Sequence, residues 1–440
     1  MTQWIPKKMT IYALSTVPGK SGVAVVRVSG QQAKTAIKKI TRKAIKPRLA
    51  TLCKLYDNND KVFDEAVVIF YEGTRSFTGE PVVEFQTHGS LSVISKILDE
   101  LSIIDGFRHA EPGEFTKRAY LSGKINLVQA EGLADLIDSE TEKQRSQALM
   151  HYGDLVSNKY FSWSDEIKMC LALIEASIDF SDEDIPKNLL SDIRKISKKI
   201  KKEISDFLKT EQSSNIIKEG LKIAIIGRPN SGKSSLINYL SQKKIAIVSK
   251  KPGTTRDILR TEKFFSGIPV TLIDTAGIRR ANDEIEKEGL KLTRKALESA
   301  HIKVYLGANN DKNPYRGINL NLSKNDLVVI NKSDLKKKHN LRPNISISLK
   351  KEKKLKFFEN KLEEKVKNII STNTGAFLNK KRQKNHLIDA RNSLEKISGK
   401  DLEIISIHIR EALRSLDSIT RETDNEEVLG IIFSKFCIGK

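Results

Sequence analysis

The sequence predicts a multidomain chain that combines α/β and all-α parts. An N-terminal α+β domain leads into an all-α helical domain made of two separated segments, and a P-loop α/β domain is inserted between those segments. Three observations predict this. Short runs rich in Val and Ile alternate with an amphipathic helix near the start of the chain. Apolar residues stepping by three and four recur on both sides of the chain's middle. Between them, Gly227-Arg228-Pro229-Asn230-Ser231-Gly232-Lys233-Ser234 follows the apolar run 221–226 and precedes a helix start at Ser235-Leu236-Ile237-Asn238.

Taken in order, 23–28, 66–71 and 82–85 read as strands, because β-branched side chains fit a pleated, half-buried surface. Residues 92–101 read as an amphipathic helix, and the α+β domain is bounded at 1–121. Residues 122–215 form the first helical segment. Within it Leu189, Ile193, Ile196, Ile200, Ile204 and Phe207 form a helix seam with charged flanks. Residues 216–372 hold the inserted domain, and 373–440 the second helical segment, with Ile404, Ile407, Ile409, Leu413 and Leu416 on its seam.

The inserted domain carries the chemistry. In G-x-x-x-x-G-K-[ST] the glycines let backbone N–H groups turn inward onto a polyphosphate, and the following helix N-terminus adds positive potential. Asn230, Ser231, Gly232, Lys233, Ser234 and Ser235 line this cradle, with Lys233 reaching the β/γ-phosphates and Ser234 a Mg²⁺ ion. A strand at 270–273 ends in Asp274-Thr275-Ala276-Gly277, which places a carboxylate near Mg²⁺ and an N–H near the γ-phosphate. Another at 327–330 ends in Asn331-Lys332-Ser333-Asp334, where Asp334 accepts from guanine N1–H and the exocyclic amine. Thr255, in Gly253-Thr254-Thr255-Arg256-Asp257, completes the Mg²⁺ shell. Motifs in this order make the domain a Ras-like P-loop GTPase domain that binds GTP. The position after D-x-x-G, a water-orienting Gln in Ras-like switches, is Ile278, so hydrolysis needs its electrostatics elsewhere. Asn230 reads either as a holder for a monovalent cation or as a turn residue. Asp283-Glu284-Ile285-Glu286 reads either as the source of a water-orienting carboxylate or as an acidic first helical turn.

Composition narrows the classes. The 440 residues carry a formal charge of +22, which fits a polyanionic partner such as RNA or a chain-wide lysine bias. The densest basic stretches, 187–209 and 332–356, read as solvated faces. No run is long and apolar enough for a membrane span, and the start lacks the apolar core of a secretory signal, so no membrane is expected and the cytoplasm is. Cys53, Cys170 and Cys437 form no metal or disulfide spacing.

The chain ends in Phe436-Cys437-Ile438-Gly439-Lys440. Upstream stand Gly79-Glu80-Pro81-Val82-Val83-Glu84, His88-Gly89 and the block PGEFTKRAYLSGKINLVQAEGLADLI at 112–137. Together with the GTPase motifs these resemble the MnmE (TrmE) family of tRNA-modification GTPases across the whole chain. The resemblance implies a homodimer formed through N-terminal domains that bind a tetrahydrofolate derivative, in its 5-formyl or methylene form, as one-carbon donor. It implies a heterotetramer with the flavoprotein MnmG (GidA), and an aminomethyl or carboxymethylaminomethyl group installed on C5 of the tRNA wobble uridine. It places folate contacts on Arg27 (VVRVSG), Glu84 (TGEPVVE), Lys124 (SGKINL) and Lys440. It places K⁺ on Asn230, Ser249, the Lys251 backbone and Thr254, Mg²⁺ on Ser234 and Thr255, and the catalytic glutamate on Glu286. Cys437 falls on the family's proposed catalytic cysteine, and its other reading is a buried inert thiol.

The chain departs from the family pattern at the strand 303–306, which runs into Gly307-Ala308-Asn309-Asn310 without an acidic ending. It departs again at the last guanine motif, which is Ser348-Leu349-Lys350, and at Gln86-Thr87-His88-Gly89-Ser90. An RNA-binding ribosome-assembly GTPase would share every GTPase motif but has no use for block 79–137 or Cys437.

Overall fold

The computed structural model describes residues 9–179, 188–242, 263–265, 267–274, 299–341, 343, 345–370, 378, 380–399, 401–421, 426–434 and 436–440. These divide into two compact units, one of residues 1–137, 149–193 and 392–440, the other of 138–148 and 194–391.

The first unit opens with β1 (Thr10–Leu14), β2 (Ser21–Ser29), α1 (Ala33–Thr41), β3 (Thr51–Tyr56), β4 (Val62–Tyr71), β5 (Val82–Gly89), α2 (Leu91–Ser102), β6 (Phe107–His109) and α3 (Glu114–Leu121). The sheet order is β3-β4-β5-β2-β1-β6, antiparallel except for the parallel β1–β6 pair. Alternation decides the two faces. Val26, Val28, Val68, Phe70, Val83 and Phe85 turn to one face and are buried under α1 and α2. α1 meets them with Ala33, Ala36, Ile37 and Ile40, spaced by three and four. The Ser90 hydroxyl caps α2 by accepting from Val93 N at 3.5 Å. On the opposite face Ile11 and Ala13 pack with Phe115 of α3. The strands read from sequence are present. β1, β3 and β6 were not legible, being short or broken by polar residues.

α3 is pinned through Glu114. It accepts from Arg108 at 2.6 and 2.8 Å, from Arg118 at 3.0 Å and from Glu111 N at 2.9 Å. Burial pushes this carboxyl up, but the Arg108 bonds, the Glu111 N–H and Arg118 outweigh it and hold its pKa below the ordinary carboxylate value. A carboxyl lowered on folding stabilises above its unfolded pKa and loses that stability as pH falls through the folded one. Glu114→Gln should therefore destabilise this unit by about 1–3 kcal/mol at neutral pH. The gap from the parent should close below about pH 4 in urea unfolding. An equal gap at both pH values would contradict the ion-pair assignment.

α4 (Leu127–Ile137), α5 (Glu142–Tyr152), α6 (Asp154–Asp179), α7 (Leu189–Leu208) and α8 (Glu211–Glu219) follow. The predicted α7 seam is buried at Leu189, Ile193, Ile200, Ile204 and Phe207, while Ile196 is half-buried.

In the second unit come β7 (Leu221–Ile226), α9 (Lys233–Gln242), β8 (Lys263–Phe265), β9 (Ile268–Asp274), β10 (Ile302–Ala308), β11 (Leu327–Asn331), β12 (Ile345–Ser346) and α10 (Leu355–Ile370). The strand order is β12-β11-β10-β7-β9-β8, parallel except for β8. β7 is central, with β9 on one side and β10 on the other. The order reverses at its C-terminal end, where ligands bind in open α/β sheets.

The chain returns through α11 (Lys381–Glu395), α12 (Leu402–Thr420) and α13 (Glu426–Phe433). α12 packs on α6, although the inserted domain separates them in sequence, and Arg410–Glu175 (2.6 Å) and Lys168–Asp417 (3.6 Å) bridge the two helices. One expectation is corrected here. Ile404 and Ile407 are 49% and 53% exposed, and the buried stripe is Ile405, Ile409, Ala412, Leu416 and Ile419. The helix starts at its Asp401 cap, which accepts from Glu403 N and Ile404 N, and that start sets which isoleucines face α6. Among the described residues no helix is long and apolar enough to cross a membrane.

Candidate functional site

Two groups of residues carry chemistry, one in each unit. In the α/β unit the loop 227–232 leaves β7 and enters α9. Asn230 sits at φ +61° and Gly232 at φ +100°. A Cβ on Gly232 would run into the Asn331 side-chain amide. That close approach has a purpose, because Asn331 Nδ2 donates to Ser231 O at 2.9 Å while its Oδ1 accepts from Leu349 N at 3.2 Å. One side chain thus joins the phosphate loop, the guanine-reading strand and the last guanine motif. Lys233 is buried and its ammonium donates to Gly227 O and Arg228 O, both at 2.9 Å. Ser234 and Ser235 are exposed on the first turn of α9, and the buried Ser231 hydroxyl has no partner among the described residues. This donor-rich cradle at a helix N-terminus fits a polyphosphate.

The departures from the family pattern become intelligible here. Ser348 Oγ donates to Asp334 Oδ1 at 2.5 Å, so Ser348-Leu349-Lys350 keeps the serine that orients the base-reading carboxylate. The Ser348 bond, followed by the charges of Lys350 and Lys351, holds the Asp334 carboxyl below its ordinary range. The segment after β10 is tied down at both ends. Asn309 N donates to Asn331 O, and Asn309 Nδ2 to Leu335 O. Asp311 accepts from Arg228 of the phosphate loop at 2.6 Å. An acid thus meets the phosphate loop from this segment, at Asp311. Sequence reading missed Asp311, because only the turn of the segment brings it to Arg228.

Asp274 ends β9. Thr275, Ala276, Gly277, Ser249, Lys251, Thr254, Thr255 and Glu286 lie outside the described residues. Of the residues expected to hold Mg²⁺ and K⁺, Ser234 is exposed on α9 and Asn230 holds a left-handed backbone in the loop. Among the described residues no cluster of three or more His, Cys, Asp or Glu forms a metal site.

In the first unit, Arg27 on β2 lies directly opposite Glu84 on β5, and Ala13 on β1 lies opposite Arg27. Arg27 and Glu84 bind each other, with Nε at 3.0 Å and Nη2 at 2.8 Å from Oε1, rather than standing apart. The guanidinium lies over the Phe115 ring at 5.8 Å. Tyr71 completes this face. Burial raises its pKa and the nearby Glu84 carboxylate adds to the effect. Lys124 donates to Thr74 O in the turn that follows β4. A partly buried guanidinium–carboxylate pair flanked by aromatic rings offers the donors, acceptors and stacking faces that a pterin edge needs. Phe115 and Tyr71 were not singled out from sequence, although Phe115 stands inside the diagnostic block.

The C-terminus comes to the same strands. α13 and Phe436 pack with Tyr120, Leu127 and Ala130. Ser15 Oγ donates to Gly439 O at 3.0 Å. Gly439, at φ +93°, lies so close to Leu14 O and Ser15 that a Cβ would not fit. Lys440 N donates to Cys437 O at 3.2 Å. Cys437 is exposed and free, which corrects the buried reading, whereas Cys53 and Cys170 are buried and burial pushes the Cys170 thiol up to about 11.

Comparison with known proteins gives concordant findings. Residues 127–437 match the model of the MnmE helical domain, and residues 10–124 that of the GTP-binding protein TrmE N-terminus. The tRNA modification GTPase MnmE of Pelagibacter ubique is 41% identical over 98% of this chain and 100% of its own length. The protein of the same name from Ehrlichia ruminantium (strain Welgevonden) is 39% identical over the same shares. Among solved structures, the G domain of the T. maritima FeoB iron transporter covers 33% of this chain and 98% of its own at 24% identity and a TM-score of 0.25.

Proposed function

Because this chain belongs to the MnmE (TrmE) family of tRNA-modification GTPases, we propose that it couples GTP hydrolysis to modification of C5 of the tRNA wobble uridine. The group added is aminomethyl or carboxymethylaminomethyl. A tetrahydrofolate derivative supplies the carbon, and the flavoprotein MnmG acts alongside in a heterotetramer built on a homodimer of this chain in the cytoplasm. The working division is a folate-binding and dimerisation domain at 1–121, a helical domain at 122–215 and 373–440, and a GTPase domain at 216–372.

The observation that carries this reading is the return of the C-terminus. The Ser15–Gly439 bond joins residues 424 apart in sequence and seats the exposed Cys437 thiol on the domain that bears Arg27 and Glu84. A GTPase that only timed ribosome assembly would not need that thiol there. When bound, the folate supplies a one-carbon unit. Arg27 and Glu84 orient its pterin edge, Lys124 and Lys440 meet its anionic or carbonyl groups, and Cys437 offers a nucleophile. In the GTPase domain Lys233 and the α9 N-terminus hold the phosphates, with Mg²⁺ on Ser234 and Thr255. K⁺ on Asn230, Ser249, Lys251 and Thr254 replaces the missing arginine finger. Glu286 orients water in place of the glutamine that Ile278 displaces.

The test is mass spectrometry of tRNA nucleosides from a bacterium lacking its own copy, with and without this gene and its cognate flavoprotein. C5-aminomethyl-type uridines should return. Normal expression of both proteins without them would refute the proposal. Cys437→Ser should lower the modification and spare GTP turnover. Full modification by that variant would remove the thiol from the mechanism and favour a purely regulatory folate role.

A further inference from the structure

The base-reading edge of the α/β domain carries a run of lysines of which only Lys350 and Lys351 act on Asp334. Lys336–Lys338 follow the guanine-reading segment. Beyond β12, residues 350–354 are all lysine except Glu352, and Lys356 comes next. All eight lysines are exposed. The two stretches are joined at their bases, by Ser333 N donating to Ile347 O at 3.0 Å and by the Ser348–Asp334 bond, so they form one surface.

Lysine abundance alone does not explain this surface. Several other surface lysines are matched by acids three or four residues away, as in Lys361–Glu364, Lys367–Glu363 and Lys209–Asp206. Among the described residues none of these eight ammonium groups has a hydrogen-bond or ion-pair partner. Nor does the backbone favour the sequence. Glu352 and Lys354 hold φ of +52° and +56°, a region where Gly or Asn is cheaper than a long side chain.

We propose that this surface docks the sugar-phosphate backbone of tRNA. The proposal rests on the tRNA-modification reading and adds where the RNA is held. Closely spaced, unpaired ammonium groups suit a polyanion of regularly repeating charge, whose bound counterions are released on contact. A protein partner is the poorer match, because lysine is depleted from protein–protein interfaces. Contacts of this kind set position rather than sequence preference, so different tRNAs bind here alike and the wobble base is read elsewhere.

The experiment uses the full chain and an unmodified tRNA transcript with a wobble uridine, titrated between about 50 and 200 mM salt. Lys336, Lys337, Lys338, Lys353, Lys354 and Lys356 are replaced together by Gln and, in a second variant, by Arg. The Gln variant should bind at least tenfold more weakly at the low-salt end. Its log–log salt slope should fall by about 0.7–0.9 per lost contact, with tRNA-independent GTP turnover unchanged. The Arg variant, which keeps every charge, should bind like the parent. Parental affinity and slope in the Gln variant would overturn the docking surface while leaving the tRNA-modification reading intact. Equal losses in both variants would show a structural effect and also overturn it, as would unchanged tRNA binding with loss of an acidic protein partner. Failure of the parent protein, with its flavoprotein, to bind or modify tRNA would overturn both readings.

Discussion

Glu286→Ala should slow GTP hydrolysis by roughly 10²–10⁴, the scale of a positioned acid–base group, and leave nucleotide binding nearly intact. The argument begins from Ile278. A sec-butyl side chain cannot polarise the attacking water, so another group must orient it, and Glu286 is the acid proposed for that role. Binding is spared because the groups that hold the nucleotide lie elsewhere, in Lys233 and the loop amides, the Asn331 junction and Asp334. Single-turnover hydrolysis in potassium buffer, beside a binding titration with a non-hydrolysable GTP analogue, separates the two quantities. Unchanged turnover would refute the assignment. A parallel fall in binding would mean that Glu286 supports the fold of the site instead.

Asp334→Asn should cost roughly 10² in GTP affinity and collapse the preference for GTP over ATP. Asp334 is kept ionised by Ser348 and by Lys350 and Lys351, and an ionised carboxylate can accept from both guanine N1–H and the exocyclic amine. An asparagine offers one acceptor and turns an N–H toward a guanine donor, leaving that donor unsatisfied. The same N–H suits a 2-oxo purine, so xanthosine triphosphate should regain affinity in the variant. Competition binding with the three nucleotides reads this directly, and an unchanged preference for GTP would sink the base-reading role.

The phosphate-loop and N-K-x-D motifs were legible in the sequence because each is local. Loop 227–234 needs glycines at fixed offsets, and Asn331 and Asp334 sit three residues apart with Lys332 between them, so a motif captures them. Ser348-Leu349-Lys350 looked eroded because a motif compares letters, whereas the function needs only a hydroxyl on Asp334 and an N–H on Asn331, and both are present. Asp311 was invisible for the opposite reason. Its bond to Arg228 spans 83 residues and depends on how the chain turns after β10.

Sequence alone determined the order of domains, the phosphate and guanine motifs, the α7 seam and, through block 112–137 and FCIGK, the family. Each of these is written in neighbouring residues or in a fixed period. Only the tertiary structure decided which side chains meet. It paired Arg27 with Glu84 across two strands and set Phe115 beneath them. It turned Ile405 rather than Ile404 toward α6, and it folded the exposed Cys437 back to strand β1. Strand register, helix phase and chain return are set by the packing of whole faces, and no local pattern encodes contacts made across hundreds of residues.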